Sequence, residues 1–189
     1  FSFNIFSITR LFFSISYSYE QDAVDGGLAY SGLVKYPESF SVMKAYYFNS
    51  WTLLHQIPAF FLKLNLSIIN TSRLILFLST LFFLMGIYLT VKSFSLSSIL
   101  AFFVAFTVLM FRKNFGDIGY PTLIFSAHTY GMMSLAVVTF IFGLISNGNL
   151  FIAGFFSVLL ISMHPVIGAW ITSVILFATI LIKLFLKDL

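Results

Sequence analysis

Long apolar runs separated by polar stretches set the pattern of the chain. Apolar residues dominate about 1–17, 74–91, 97–111, 131–146, 150–163 and 166–186, and a long polar stretch, 18–73, separates the first two runs. A helix needs about 20 mainly apolar residues to cross a hydrocarbon core of about 30 Å, and several of these runs approach that length. No Asp, Glu, Lys or Arg falls within 74–91, 97–111, 131–163 or 166–182. The expected fold is all-α: a polytopic transmembrane helix bundle, one domain over 1–189, with a long first loop containing interfacial helices. Phe1 in place of Met, and an apolar run continuing almost to Leu189, read as a fragment of a longer protein.

Local signals refine these elements. Arg10 sits inside the first run, where a central Arg costs about 2.5–3.5 kcal/mol on the insertion scale unless it is covered. In the polar stretch, Ser39 is an expected N-cap for a helix reaching Gln56, with Pro58 marking its stop. On that helix Lys44, Tyr47, Trp51 and His55 share one face, and Tyr and Trp favour the water–lipid boundary. Lys92 closes the run 74–91, with Ser93, Phe94 and Ser95 as a short connection. Ser146-Asn147-Gly148-Asn149 is a turn by composition. The 37 residues of 150–186 would make a helix of about 55 Å, too long for one span. His164-Pro165 supplies the break, since Pro lacks a backbone donor and biases the residue before it away from helix.

Composition narrows the class. The 189 residues are 60% hydrophobic and 8% charged, with 26 Phe, and the mean hydropathy is +1.03. Soluble domains carry about a quarter charged residues, so an ordinary globular domain and a disordered chain are both excluded. The net charge of +4 is small and dispersed, without the basic stripe and interleaved aromatics of a nucleic-acid binder. The absence of Cys excludes disulfides, thiolate metal sites and Cys nucleophiles.

Spans alternate sides, so the loops sort into two faces. Loop 18–73, segment 112–130 and the His164-Pro165 corner share one face. It holds five of the six acids, all three His and all four Pro. Residues 92–96 and 146–149 belong to the other. Loop charges do not decide which face is cytoplasmic, because the positive-inside rule weakens for loops near 60 residues.

The polar face supplies the candidate chemistry. Glu20, Asp22 and Asp25 follow an apolar segment, and a carboxylate at a membrane boundary can serve as a general base. They equally suit a solvated loop start. Asp25 precedes Gly26-Gly27, where a ligand could approach the backbone; Asp22 is nearly as good. Arg112 and Lys113 suit a phosphate head group or an anionic leaving group, or anchor a span end. His164 occupies a corner between apolar helices, where a polar residue is costly. His55 and Trp51 complete the substrate- and phosphate-binding candidates. Asp117 and His128 are a weak metal pair. Tyr30, Tyr46 and Tyr47 suit sugar stacking, and equally interface anchoring. The sequons Asn65-Leu66-Ser67 and Asn70-Thr71-Ser72 read as accidental beside a span.

This layout, an N-terminal span, a long loop opening with Glu20, Asp22 and Asp25, interfacial helices and then a bundle, resembles the GT-C superfamily of polytopic glycosyltransferases. The resemblance lies in topology and in the acidic first loop. It implies a sugar donor linked to polyprenyl phosphate, a polar face that is periplasmic or lumenal, and a loop carboxylate that acts as base or helps hold a divalent metal. The base falls on Asp25 or Asp22. No Asp-x-Asp or paired Asp-Asp or Asp-Glu is present, which leaves the metal open. The expected function is therefore a membrane glycosyltransferase whose partners are the bilayer and a lipid-linked donor, with no nucleic acid. A transporter and a non-catalytic assembly subunit are the alternatives. Spans without charges other than Arg10 argue against the transporter.

Overall fold

The computed structural model describes residues 24–35, 42–49, 52–95, 97–110, 116–117, 120–121 and 130–185. The expected span 1–17 lies outside them. Among these residues the fold is all-helical, apart from a two-residue antiparallel ladder between β1 (Gly116–Asp117) and β2 (Tyr120–Pro121). The helices are α1 (Asp25–Ser31), α2 (Val42–Asn49), α3 (Leu53–Lys63), α4 (Ile68–Ser95), α5 (Ser98–Met110), α6 (Tyr130–Ser146), α7 (Leu150–Met163) and α8 (Pro165–Phe185).

Inside the polar stretch the helices differ from expectation. The helix foreseen from Ser39 to Gln56 is two: α2 ends at Asn49 and α3 starts at Leu53. Thr52 separates them, with extended backbone (φ −140°, ψ 149°) and a hydroxyl that accepts the His55 N–H at 3.3 Å. That N-cap satisfies a donor at the start of a new helix, so Tyr47 and His55 do not share the face of one helix. Pro58 does not stop the helix either, but lies inside α3. Its buried ring packs against Gly27 of α1.

α4 also exceeds its expected span at both ends. Ser67 caps its start, its Oγ accepting the Asn70 N–H at 3.2 Å, so both sequons belong to the turn and first turn of a helix. Arg73, the last residue of the expected loop 18–73, therefore stands on α4. At the far end Ser93 and Ser95 donate to the carbonyls of Thr90 and Val91, and the expected connection is helical. At 1.5 Å per residue, the 28 residues of α4 span about 42 Å. Among the described residues α4 is the one helix long and apolar enough to cross a membrane. Shorter apolar helices follow: Ser98–Met110, Met133–Ser146, Leu150–Met163 and Pro165–Leu181.

The later boundaries fall where the sequence places them. Gly148 ends the α6–α7 turn with φ +74°, a left-handed conformation open to Gly at little cost. The α7–α8 corner turns on His164, whose backbone is extended (φ −144°, ψ 96°) before Pro165 opens α8.

α4 and α6 form the centre of the bundle, with α5 on one flank and α7 and α8 on the other. Their contact depends on missing side chains. A Cβ on Gly143 would stand 2.7 Å from the Gly86 carbonyl oxygen, and one on Gly86 would collide with the backbone of Thr139 and Phe140. Near that crossing Asn147 donates from Nδ2 to the carbonyls of Leu89 (2.6 Å) and Gly143 (2.8 Å), tying the α6–α7 turn to the far end of α4. Phe82, Phe140 and Phe156 fill the centre, with ring centroids 5.0–5.6 Å apart. Such pairs contribute about 0.5–1.5 kcal/mol each beyond burial.

The bundle buries hydroxylated residues beside Leu76, Ile141, Leu160 and Met163, and leaves many large apolar side chains outside. Thr71, Ser72, Ser79, Thr80, Ser134 and Ser157 are buried, whereas Phe151, Phe155, Val158, Trp170 and Phe177 are exposed.

Candidate functional site

The best-defined cluster of chemistry-bearing residues lies where α1 packs against α3, near the start of α4. Asp25 opens the first turn of α1, where a helix N-terminus favours negative charge. Its side chain is half-buried. Gly26 and Gly27 follow and face α3 at close range. A Cβ on Gly26 would fall within the His55 ring, and one on Gly27 would stand 2.7 Å from Pro58 Cβ and 2.9 Å from the Ala59 nitrogen. The glycine pair thus admits a neighbouring helix rather than an open approach for ligand. Val24, Leu28 and Leu62 form a small apolar cluster beside it. Gly32 ends α1 in the left-handed region (φ +80°), its N–H donating to the Ala29 carbonyl.

His55 is the hub of this packing. It is 4% exposed, and three neighbours enclose it: Gly26, the Tyr47 ring edge-on at 5.5 Å and the Tyr30 ring at 6.1 Å. Tyr30 also meets Phe48 at 5.4 Å. At this burial the imidazole packs between the two helices. Its geometry suits a wedge that sets the distance and angle between α1 and α3, and with them the position of Asp25. Tyr30 and Tyr47, candidate sugar platforms by sequence, both pack against His55 here.

His164 stands elsewhere, at the α7–α8 corner. Its Nδ1 accepts the Ile167 N–H at 3.3 Å, and its carbonyl accepts the Gly168 N–H at 2.8 Å. It closes one helix and caps the next. The half-buried ring therefore has a structural role that explains a polar residue at this corner.

Asp22, Trp51, Arg112, Lys113 and His128 lie outside the described residues, and Asp117 is described only as backbone of β1. Among the described residues no group of three or more His, Asp or Glu side chains converges as a metal site. Sequence reasoning missed the wedge relation of His55 and Gly26, although Asp25-Gly26-Gly27 was singled out. Adjacent glycines before an apolar residue signal close approach of some kind, and only the partner helix was unknown.

Among the described residues the fold and the cluster define a helical protein with one helix long and apolar enough to cross a membrane, and an Asp-Gly-Gly helix start packed against a buried His. No family model matches the chain, and no curated protein or solved structure matches it.

Proposed function

We propose that the chain is a multi-pass membrane protein in which α4 to α8 cross the bilayer. The distribution of side chains supports this reading. Large apolar residues on α5, α7 and α8 face outward while Gly, Ala, Ser and Thr mediate helix contacts within. In water that arrangement exposes an apolar surface far beyond the patches of a soluble monomer. In lipid it is the expected one, because tails solvate the large side chains and small residues let helices approach closely.

The function proposed is sugar transfer from a polyprenyl-phosphate donor, with Asp25 as general base. The observation that carries it is a half-buried carboxylate at the start of a helix that its own glycine pair packs closely against the buried His55 and Pro58 of α3. Asp25 takes the proton of an acceptor hydroxyl as its oxygen attacks the anomeric carbon. The bond from that carbon to the phosphate oxygen breaks through an oxocarbenium-like transition state, and the lipid phosphate leaves with the electron pair. Arg112 and Lys113 are the residues proposed to balance that phosphate. Asp22 is the neighbouring carboxylate able to share the role of Asp25.

The test is transfer of radiolabelled sugar from a polyprenyl-phosphate donor by membranes containing the protein, comparing Asp25→Asn, Asp22→Asn and the double variant. Loss of at least a hundredfold in Asp25→Asn, with normal protein levels, is expected. Full activity in the double variant would remove the mechanism.

A further inference from the structure

We propose that the groove between α4 and α5 seats one acyl chain of an anionic phospholipid, with Lys92 meeting its phosphate. The groove has a volume of about 210 Å³ and opens between Leu84, Met85 and Tyr88 of α4 and Phe102, Ala105 and Phe106 of α5. Its shape follows from the sequence of α5. The Phe102 and Phe106 rings stand nearly parallel, 9° apart with centroids at 6.3 Å, and Ala105 leaves the hollow beside them. Apolar side chains line it almost throughout, so a hydrocarbon chain suits it and a sugar does not.

What selects the occupant is the charge at one end. Lys92 follows Tyr88 by one helical turn, and its Nζ stands over the Tyr88 ring at 6.0 Å from the centroid. α4 and α5 contain no Asp or Glu, so neither helix offers that cation a carboxylate. α4 ends three residues later at Ser95, which puts the ammonium at the end of the helix and the groove deeper along it. A cation at the boundary above an apolar slot is complementary to an amphiphile with a phosphate head and an alkyl tail.

The position along α4 separates this occupant from the sugar donor. Lys92 lies 24 residues from Ile68, about 36 Å along the helix axis, whereas α1 and α3 lie at the Ile68 end. A donor reacting at Asp25 would have its phosphate at the other boundary. The groove therefore takes a phospholipid of the leaflet opposite the proposed reaction. This inference rests on the membrane placement of α4 but not on sugar transfer, and its failure leaves that activity untouched.

The test is lipid retention by the purified protein in mild detergent, read by native mass spectrometry with phosphatidylglycerol and phosphatidylcholine of identical chains. The expected result is preferential retention of phosphatidylglycerol by about fivefold, the factor one Lys contributes beside an anionic surface. Lys92→Gln should abolish the preference and Lys92→Arg should keep it. Met85→Trp, at an exposed position on the groove wall, should lower retention of both lipids. An unchanged preference in Lys92→Gln would overturn the head-group assignment, and unchanged retention in Met85→Trp the groove assignment. Displacement of bound phosphatidylglycerol by equimolar polyprenyl phosphate would overturn the proposal in favour of the donor lipid.

Discussion

The His55 imidazole occupies the space that a Cβ on Gly26 would need, and this contact, with that of Gly27 on Pro58, lets α1 lie close against α3. Gly26→Ala must displace a ring already held by Tyr30 and Tyr47. Overpacking of this kind costs about 1–3 kcal/mol. We expect Gly26→Ala to lower thermal stability and sugar transfer together, and Gly26→Ala with His55→Ala to recover part of the stability. Additive losses in a double-mutant cycle would show that the two positions are not coupled.

The crossing of α4 and α6 offers a second check. Gly143→Ala directs a methyl group at the Gly86 carbonyl and Leu89, where neither backbone nor side chain can yield cheaply. A loss of about 1–3 kcal/mol is expected in denaturant unfolding of the purified protein. Asn147→Ala, which removes the bridge to Leu89, should cost about 1 kcal/mol. Wild-type stability in Gly143→Ala would mean that the helices are not in contact there.

At the α7–α8 corner His164 is predicted to act as a cap rather than as a substrate ligand. His164→Ala should lower stability by about 1 kcal/mol, the usual effect of losing a cap. His164→Asn, able to accept the same Ile167 N–H, should recover most of it. Should sugar transfer fall in both variants while stability is kept in His164→Asn, the residue has a functional role beyond capping.

Because the chain has no Cys, its membrane placement is open to single-Cys labelling. Leu33 is exposed just after α1, and Asn149 is exposed in the α6–α7 turn at the opposite end of α4. In sealed vesicles, Leu33→Cys and Asn149→Cys should react with an impermeant thiol reagent from opposite sides. Labelling of both from one side would contradict a bundle that crosses the bilayer.

What the sequence by itself determined about this protein is where its later helices start and stop. A backbone inside an apolar run must satisfy its own hydrogen bonds, and helix is the local way to do so. The breaks then follow from residues that act on their neighbours in the chain: Pro165 after His164, and Gly148 in a polar turn. Reasoning of the same local kind failed at Pro58 and at Ser93 to Ser95. There the ring is accommodated by Gly27 of another helix, and the serine hydroxyls fold back onto α4.

Only the tertiary structure decided what the glycines and His55 are for. Gly86 and Gly143 lie far apart in sequence, and each is small because the facing helix comes close: Gly86 against the Thr139 and Phe140 backbone, Gly143 against Gly86 and Leu89. Gly26 could have admitted a ligand or a helix, and the meeting of α1 with α3 settles that His55 fills the space. Asp25 was legible as a candidate from its place after an apolar segment and before two glycines. The wedge that holds its helix was not, because a contact between distant segments leaves no period in the chain that either segment carries alone.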